Sequence, residues 1–441
     1  MDVRGQRVVV FGLGRSGRAA ASLARRHGAE VIGVDGRTDV DPIDGVRLEL
    51  GEPRRATFEG CDLLVLSPGV PADHPQVVAA QLAGATIVGE LGFAASFLDA
   101  PMVAITGTNG KSTVTSLVGQ LLEAAGRRVF VGGNIGTALS LASEVPHDVL
   151  VVEVSSYQLE WPAGLHPRVG AVLNLTPDHL ARHGDMERYG RCKVRLFEQM
   201  GPADIALLPA ADPLLARLAE GVGRAERGWL GKLPGVARDG RTIRVELAGG
   251  RTATFEASEF PLAGTHNLDN LAAALALAVA MDADPTALQS ALAALRGLDH
   301  RMQRVGTWDE VSWIDDSKAT NVEAAQAGIA GLDRSAVVLL GGQAKGPGFA
   351  ALIPALRRHR AVVTFGASGP AIADELAGAG LVLRRCGPLA DAVTAARELA
   401  QPGDAVLLSP GCASFDAFSD FAHRGRVFQD LARAHEFPEN R

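Results

Sequence analysis

A glycine-rich loop with one lysine and two hydroxyl residues carries the clearest chemical signal in the chain. The segment reads Thr106-Gly-Thr-Asn-Gly-Lys-Ser-Thr113, follows an apolar run, and has only two residues between Gly107 and Gly110, fewer than the general P-loop. Glycines allow backbone N–H groups to converge on phosphate oxygens, while a lysine and a hydroxyl can hold a phosphate and its Mg²⁺. A chance Gly-Lys-Ser turn is the alternative, but the strand–loop–helix context favours nucleotide binding. The predicted nucleotide contacts are Gly107, Thr108, Asn109, Gly110, Lys111, Ser112 and Thr113.

Three further side chains could take part in phosphate chemistry, and each also has an ordinary structural explanation. Glu153 lies near the end of an apolar strand, where a carboxylate needs a partner such as Mg²⁺ or an arginine. His179 follows a strand end and a proline, and a lone histidine is more often structural than a metal ligand. Lys193 lies in a helical pattern, which by itself indicates a solvated surface lysine.

A second phosphate-binding pattern lies at the N-terminus. Gly12-Leu-Gly-Arg-Ser-Gly17 follows an apolar strand, and Asp35 follows at the distance typical of a dinucleotide-binding fingerprint. Taken alone, this pattern predicts NAD. The same close backbone approach and helix N-terminus serve any diphosphate, so the pattern leaves the ligand open.

Polar residues concentrate in two short strings of the C-terminal third. Trp313-Ile-Asp-Asp-Ser-Lys-Ala-Thr-Asn321 contains two carboxylates, a lysine and a threonine, and Ser409-Pro-Gly-Cys-Ala-Ser-Phe-Asp416 is the second string. An aspartate or serine before an alanine-rich segment is also a common helix N-cap. Both interpretations of the first string can hold together.

Alternating strands and helices must position these residues, which predicts an α/β fold with parallel sheets. Strands are expected at 7–11, 29–35, 61–67, 101–106, 148–154 and 169–174, and hairpins at 238–257. Further strands are expected near 308–314, 336–340, 361–365, 381–385 and 405–408. We therefore expect a Rossmann-like domain at 1–92, a P-loop ATPase-like domain at 93–297 and a second Rossmann-like domain at 298–441.

Length and composition agree with a multidomain globular protein. The 441 residues suggest about three domains, and a net charge of −7 argues against nucleic-acid binding through a basic stripe. The four cysteines form no C-x-x-C pair, and the N-terminus lacks the order of a signal peptide. The apolar run from Leu271 to Met281 is too short to span a bilayer. We expect a cytoplasmic monomer without membrane insertion.

The short phosphate loop resembles the ATP loop of the Mur ligase family and of its folylpolyglutamate synthetase relatives. Strings in all three predicted domains are similar to that family, including Asn174-Leu-Thr-Pro-Asp-His179, Asp315-Asp-Ser-Lys-Ala-Thr-Asn321 and Ser409-Pro-Gly-Cys-Ala-Ser414. The resemblance implies an ATP-dependent amide ligase of peptidoglycan precursor synthesis. The last two strings resemble the branch that adds D-glutamate to UDP-N-acetylmuramoyl-L-alanine through an acyl phosphate.

The resemblance also implies a role for each matching residue. Two Mg²⁺ ions would be held by Ser112, Glu153, His179 and Lys193, the last modified by CO₂ to a carbamate, because an ammonium group cannot bind a cation. Lys111, Glu153, His179 and Lys193 would form the catalytic set. Further ATP contacts would be Asn267, Asn270, Arg301 and Asp316. The UDP-linked substrate would meet Gly14, Arg15, Ser16, Asp35, Arg37, Ser67, Asn134, Ser155 and Gln158. D-Glutamate would meet Lys318, Thr320, Lys345, Ser414, Phe415 and Phe421.

Three alternatives accompany this expectation. The first is another acceptor, namely L-alanine, meso-diaminopimelate or a folate glutamate, and the two C-terminal strings argue against it. The second is an NAD-dependent dehydrogenase with an accessory NTPase unit, which would explain residues 12–35 and little else. The third is a catalytically silent nucleotide-binding protein, which the presence of Lys111, Glu153, His179 and Lys193 disfavours.

Overall fold

Three β-sheets built mainly from parallel strands form the framework of the chain. The computed structural model describes residues 1–262, 264–344, 346 and 348–434. One compact unit contains Met1–Pro261 and Leu268–Leu295, and the other contains Leu262–Asn267 and Arg296–Arg441. The first two sheets belong to the first unit, and the third sheet belongs to the second unit.

The N-terminal sheet has the order β3-β2-β1-β4-β5, with all strands parallel. Its strands are β1 (Arg7–Phe11), β2 (Glu30–Asp35), β3 (Arg47–Leu50), β4 (Leu63–Leu66) and β5 (Thr86–Gly89). Its helices are α1 (Arg15–Arg26), α2 (Arg55–Glu59), α3 (Pro75–Leu82) and α4 (Glu90–Ala95). The strand order reverses between β1 and β4, and doubly wound sheets bind ligands at the carboxyl ends of the strands at that point.

The central sheet has the order β14-β13-β12-β11-β10-β9-β6-β8-β7. Its strands are β6 (Met102–Thr106), β7 (Val129–Gly133), β8 (Val149–Glu153), β9 (Val169–Val172), β10 (Ile205–Pro209), β11 (Glu226–Leu230), β12 (Gly235–Asp239), β13 (Thr242–Leu247) and β14 (Arg251–Glu256). Its helices are α5 (Lys111–Ala124), α6 (Leu180–His183), α7 (Met186–Val194), α8 (Pro213–Ala219), α9 (Thr265–Ala280) and α10 (Pro285–Ala291). β6, β8 and β9 are fully buried and, apart from Thr106 and Glu153 at the ends of β6 and β8, apolar, as is typical of strands covered on both faces. Because β6 pairs in parallel with both of the others, the segments that follow the three strands lie at one edge.

The C-terminal sheet has the order β15-β16-β20-β17-β18-β19, and only β15 is antiparallel to its neighbour. Its strands are β15 (Gln303–Trp308), β16 (Val311–Asp315), β17 (Ala336–Gly341), β18 (Ala361–Phe365), β19 (Leu383–Arg385) and β20 (Ala405–Leu408). Its helices are α11 (Val322–Gly331), α12 (Ile353–Leu356), α13 (Gly369–Leu376), α14 (Leu389–Leu399) and α15 (Phe421–Arg433). β16, β20 and β17 are neighbours, so the loops after them share one edge.

The predicted α/β class with parallel sheets is confirmed, while the domain boundaries at residues 92 and 297 stay predictions. Five strands, β3, β5, β7, β10 and β11, were not among those expected from the sequence. Asn321, rather than an aspartate, caps α11 by accepting from the Ala324 N–H. No helix of the described ranges is both long enough and apolar enough to cross a membrane.

Candidate functional site

The loop after β6 is held in a shape that glycine alone adopts easily. Gly107 has φ 152° and Gly110 has φ 82°, in the region that L side chains rarely occupy. A Cβ atom on Gly110 would also lie 2.7 Å from the Asn270 side-chain oxygen. Gly110 occupies the N-cap of α5, so the first N–H groups of that helix face the loop.

Asn174, which follows β9, clamps this loop from the side. Its Oδ1 accepts hydrogen bonds from the N–H groups of Thr108 (3.1 Å) and Asn109 (2.8 Å), and its Nδ2 donates to the Asn109 carbonyl at 3.0 Å. Lys111 Nζ donates to the carbonyls of Gly107 (2.9 Å) and Thr108 (2.8 Å). The lysine therefore lies back over its own loop, while Ser112 and Thr113 are buried in the first turn of α5.

Glu153 ends β8 with one carboxylate oxygen that lacks a partner. Its Oε1 accepts from Asn134 Nδ2 at 2.6 Å. Its Oε2 is buried and has no hydrogen-bond partner among the described residues, and the side chain is 1 % exposed. An unsatisfied buried carboxylate oxygen is costly in free energy. The sequence left open whether Mg²⁺ or an arginine pairs with Glu153, and no arginine bonds Oε2 among the described residues. A cation bound at Oε2 would remove this cost.

Lys193 lies on α7 and is buried beside the same loop, which contradicts the expectation of a solvated lysine from pattern alone. Its Nζ donates to the Gly107 carbonyl at 2.9 Å and lies 4.4 Å from the centre of the Tyr189 ring, and the residue is 1 % exposed. Burial, and then the charge of Lys111, lower the pKa of Lys193 to about 7. The amino groups of Lys111 and Lys193 thus share the Gly107 carbonyl. Burial and mutual repulsion both disfavour the state in which both groups are charged.

His179 lies in the loop after β9, and its backbone has the left-handed conformation, with φ 54°. Its Nδ1 lies 3.2 Å from the Tyr157 hydroxyl and its Nε2 lies 3.4 Å from Asp178 Oδ2. Within the described ranges, no group of three or more histidine, cysteine, aspartate or glutamate residues could hold a metal ion. The set predicted for Mg²⁺ contains two such residues, Glu153 and His179, together with a hydroxyl and a lysine.

The glycines of the N-terminal pattern bring α1 against the ends of β1 and β4. A Cβ atom on Gly17 would lie 1.9 Å from the Gly12 carbonyl oxygen, and one on Gly12 would lie 2.7 Å from Ser67 Cβ. Gly14 is the N-cap of α1, and Gly14 and Arg15 are exposed while Ser16 is half-buried. The predicted pyrophosphate contacts therefore lie at a helix N-terminus at the topological switch point.

Both carboxylate oxygens of Asp35 accept hydrogen bonds from the N-terminal part of the chain. Its Oδ2 accepts from the Leu13 N–H at 2.7 Å, and Arg37 bonds both carboxylate oxygens at 3.1 Å. Burial alone would raise the pKa of Asp35, but the hydrogen bonds from Arg37 and Leu13 hold it below its usual value. The pair braces the loop after β1, and its predicted contact with uridine stays a prediction.

A cavity of about 10 Å³, room for roughly one water, lies where the N-terminal and central sheets of the first unit meet. Its lining includes Ser67, Glu90 and Gln158. Gln158 Oε1 accepts from the N–H (2.9 Å) and the hydroxyl (3.1 Å) of Ser155. Glu90 was not predicted; it is 2 % exposed, accepts from Ser140 Oγ at 3.0 Å, and burial raises its pKa to about 7.

In the second unit, the loops after β16 and β20 bring together several of the residues predicted for D-glutamate. Lys318 Nζ lies 5.7 Å from the centre of the Phe421 ring, Ser414 is buried, and Phe415 is 70 % exposed. Asp316 accepts from Ser409 Oγ at 2.7 Å and from the Met302 N–H at 3.2 Å, and burial raises its pKa to about 7. Lys345 lies outside the described residues.

Arg424 on α15 joins these loops and was missed by sequence reasoning. It is fully buried, and its guanidinium donates to the carbonyls of Ser317 (2.8 Å), Cys412 (3.0 Å), Ala413 (3.2 Å) and Gly341 (3.4 Å) and to the Ser317 hydroxyl at 2.9 Å. Burial lowers its pKa to about 10. In the sequence, Arg424 precedes a glycine in an amphipathic helical pattern. That pattern predicts an exposed side chain.

The predicted residues thus form two groups. The first unit holds the loop residues 107–113 with Asn134, Glu153, Ser155, Gln158, His179, Lys193 and Asn270, and it also holds the N-terminal set Gly14, Arg15, Ser16, Asp35, Arg37 and Ser67. The second unit holds Asn267, Arg301, Asp316, Lys318, Thr320, Ser414, Phe415 and Phe421. Arg301 is half-buried, and its Nε has no hydrogen-bond partner in the described part of the chain.

Three family models match the chain in succession: the Mur ligase MurD-like N-terminal domain over residues 6–89, the Mur ligase middle domain over residues 105–278, and the Mur ligase glutamate ligase domain over residues 300–412. A protein of Koribacter versatilis named UDP-N-acetylmuramoylalanine--D-glutamate ligase is 38% identical, covering 98% of both chains. The protein of the same name from Anaeromyxobacter dehalogenans is 41% identical, again covering 98% of both chains.

Solved structures share the fold. The UDP-N-acetylmuramate-alanine ligase of Thermotoga maritima superposes with a TM-score of 0.60 at 19% identity, covering 98% of this chain and 100% of that one. MurF from Acinetobacter baumannii gives a TM-score of 0.61 at 17% identity, covering 98% and 91%. Together with the sequence relatives, these matches show that this chain is an enzyme of the Mur ligase family, within which it groups with the D-glutamate ligases.

Proposed function

We propose that this enzyme joins the amino group of D-glutamate to the terminal carboxylate of UDP-N-acetylmuramoyl-L-alanine, at the expense of ATP. The activity named for the relatives of Koribacter versatilis and Anaeromyxobacter dehalogenans supports the pair of substrates. The observation that carries the proposal is the edge where β6, β8 and β9 end. There a phosphate-type loop, a buried carboxylate with an unpartnered oxygen and a buried lysine lie together.

The residues at this edge fit Mg²⁺. Glu153 Oε2 is a hard oxygen ligand without a partner among the described residues. Ser112 would add a hydroxyl oxygen, and His179 would add an imidazole nitrogen. Bound Mg²⁺ would neutralise the charge of the ATP phosphates. The residues themselves hold the loop, orient the phosphates and exclude water.

Lys193 fits the set only when it has lost its positive charge. Its burial, and the neighbouring Lys111, favour the neutral amine, which is the form that reacts with CO₂. We propose that the amine adds to CO₂ and loses a proton, so that a carbamate anion replaces an ammonium group. That change would supply anionic oxygen between the loop and the proposed cation sites.

The reaction balances in two steps. The substrate carboxylate attacks the γ-phosphorus, the bond to the β–γ bridging oxygen breaks, and ADP leaves. The D-glutamate amine then attacks the acyl carbon, loses a proton, and expels inorganic phosphate to leave an amide. Positioning and charge neutralisation supply most of the acceleration in such transfers, and we assign that role to the clamped loop and to Lys111. Because ATP and UDP-linked sugars are cytoplasmic metabolites, we place the reaction in the cytoplasm.

The remaining predicted contacts complete the proposal. The N-terminus of α1 and Ser67 would hold the UDP end, and Asn134, Ser155 and Gln158 would hold the muramoyl end. Asn267, Asn270, Arg301 and Asp316 would contribute to ATP binding. Lys318, Thr320, Lys345, Ser414, Phe415 and Phe421 would hold D-glutamate.

The test is phosphate release from ATP with UDP-N-acetylmuramoyl-L-alanine present, adding D-glutamate, L-glutamate, L-alanine or meso-diaminopimelate in turn. We expect release that requires D-glutamate, with a product heavier by one glutamyl residue. Release with another acceptor would overturn the roles given to Lys318, Thr320 and Ser414. No release with any of these acceptors would overturn the proposed pair of substrates.

A further inference from the structure

We propose that Arg182 is a positioning residue that fixes the separation between the contacts for the two ends of the UDP-linked substrate. The inference rests on the proposed function, in which Ser67 meets the UDP end and Gln158 meets the muramoyl end. Arg182 would act through these two contacts rather than on the reacting atoms. All three residues belong to the first compact unit.

The Arg182 side chain bridges two segments that lie far apart in the sequence. Its Nε and Nη2 donate to the two carboxylate oxygens of Glu160 at 2.9 and 2.7 Å, and Nη2 also donates to the Val70 carbonyl at 3.3 Å. Both members of the ion pair are half-buried. Two parallel bonds to one carboxylate hold a guanidinium in a defined orientation, so the bond to Val70 is directed as well.

Each end of this bridge lies beside a predicted substrate contact. Val70 belongs to the loop between β4 and α3, which begins with Ser67, and the Val70 N–H donates to the Ser67 carbonyl at 3.0 Å. Glu160 ends the 3₁₀ turn Gln158–Glu160, which begins with the other contact. Arg182 therefore joins the loop that bears Ser67 to the turn that bears Gln158.

The loop and the turn face each other across a narrow gap. Ser67, Val70 and Gln158 line the same cavity of about 10 Å³, which has room for roughly one water. A substrate held at both ends crosses this junction, so both ends bind together only when Ser67 and Gln158 lie at the right separation. The bonds of Arg182 hold that separation before the substrate arrives.

A second arginine binds Glu160 without reaching the loop after β4. Arg195 Nη1 donates to the Glu160 backbone carbonyl at 2.7 Å, and Arg195 Nε donates to Glu198 at 2.8 Å. Within the described residues, these are the hydrogen bonds of the Arg195 side chain. Arg195→Met is therefore a matched control, because it loses a bond to the same glutamate and keeps the link to Val70.

The experiment compares UDP with UDP-N-acetylmuramoyl-L-alanine as ligands of the full chain, by isothermal titration calorimetry. Two contacts at a matched separation make the second binding event intramolecular, so the whole substrate should bind more tightly than UDP. We expect this preference in the wild type and in Arg195→Met. In Arg182→Met the ratio of the two dissociation constants should fall by roughly 10-fold, chiefly through weaker binding of the whole substrate.

A non-hydrolysable ATP analogue serves as the check on folding. Its affinity should be unchanged in each variant, because Asn174 clamps the phosphate loop through its own bonds to Thr108 and Asn109. If Arg182→Met does not fold, Arg182→Lys replaces it with the same expected loss, since lysine keeps the cation beside Glu160 but lacks the planar fork.

Three results would contradict the inference, and they differ from one another. A wild-type preference in the folded Arg182 variant would mean that packing alone fixes the junction, as where a Cβ atom on Gly92 would lie 1.9 Å from the Ala163 carbonyl oxygen. Equal losses for UDP, the whole substrate and the ATP analogue would indicate general destabilisation. A wild-type chain that does not bind UDP-N-acetylmuramoyl-L-alanine would overturn the proposed substrate, and the role of Arg182 with it.

Discussion

Lys193 and Arg424 are both buried basic side chains, but Lys193 lies beside the proposed reaction site whereas Arg424 only supports loops. Lys193 has one carbonyl and the face of one ring, and a second amino group shares that carbonyl. Arg424 donates to four carbonyls and one hydroxyl. Burial lowers the pKa of Lys193 to about 7 but that of Arg424 only to about 10.

The carboxylates of the two regions differ in the same sense. Glu153, near Lys193, keeps one buried oxygen without a described partner. Asp316, in the loop that Arg424 supports, accepts a bond on each oxygen. Unsatisfied buried polar groups cost free energy and persist where a ligand satisfies them. We therefore infer that the edge of the central sheet binds a ligand. The hydrogen bonds of Arg424, in contrast, are satisfied within the protein.

The largest effect is expected from Lys193→Met, which removes the amine while keeping most of the side-chain volume. Ligase activity should fall by about 10³-fold or more, equivalent to ~4 kcal/mol of transition-state stabilisation. The melting temperature should hold or rise, because a poorly solvated amine has been removed. Phosphate release and thermal unfolding measure the two quantities.

The control is Arg191→Met on the same helix, an exposed arginine paired with Glu187 at 2.8 Å. It should leave both quantities nearly unchanged. A Lys193→Met protein that unfolds easily but retains activity would contradict the chemical role given to Lys193 and the structural role given to Arg424.

Arg424→Met should behave in the opposite way, with stability as the main loss. Four carbonyls and a hydroxyl would each lose one buried donor, which we expect to destabilise the protein by about 2–4 kcal/mol. The KM for D-glutamate should rise more than the KM for ATP, because the loops that bear Ser414 and Lys318 would lose their common anchor. Urea unfolding and steady-state kinetics test both points.

Arg426→Met, two residues further along the same helix and exposed, is the matched control and should change stability by less than about 0.5 kcal/mol. Equal stability of the two variants would show that the Arg424 bonds contribute nothing net.

Sequence reasoning predicted the fold class and the strand–loop–helix arrangement around residues 106–113 because these depend on local pattern. The phosphate loop is a contiguous string, and strand–helix alternation spans only tens of residues. It missed Arg424 because the five groups that this arginine contacts come from three distant segments of the chain, and α15 alone has the pattern of a surface helix. It also misjudged Lys193 by pattern, since only the packing of α7 on the loop buries that lysine.

Asp35 shows a different limit. The fingerprint spacing identified an acid at the end of β2, but spacing does not reveal that Arg37 and Leu13 use its oxygens. Glu90 was overlooked because its partner Ser140 lies 50 residues away, on the facing part of the central domain. In each case the missing information is which residues of distant segments meet.

Glu153→Gln sharpens the comparison by changing the unpartnered oxygen. The amide cannot carry the negative charge that a cation needs, so Mn²⁺ affinity measured without nucleotide should fall by roughly 10–100-fold, or about 1.4–2.7 kcal/mol. Glu144→Gln, at an exposed carboxylate paired with Arg26, is the control and should bind Mn²⁺ as the wild type does. Wild-type affinity in Glu153→Gln would remove the reason for placing a cation at this strand end.

Glu90→Gln tests a third buried carboxylate, one that has a hydroxyl partner and no cationic partner among the described residues. Burial raises the pKa of Glu90 to about 7 in the folded chain, so the protonated form is favoured and stability falls as pH rises from about 4.5 to 7. Above pH 7 the buried charge should cost roughly 1–3 kcal/mol. The glutamine variant should therefore be more stable than the wild type at pH 8 and equal to it near pH 4.

Denaturant unfolding at the two pH values measures this difference. A variant that is less stable at pH 8 would mean that the Glu90 carboxylate has a cationic or donor partner that outweighs its burial.

Phe415 should give the smallest effect, because its ring is 70 % exposed although the residue follows the buried Ser414. A ring in solvent contributes little packing, so Phe415→Leu should change stability by less than about 0.5 kcal/mol. If this residue meets D-glutamate through its backbone N–H, Phe415→Leu and Phe415→Ala should share one KM for D-glutamate. A clear rise in KM for the alanine variant alone would show that the side chain contacts the amino acid.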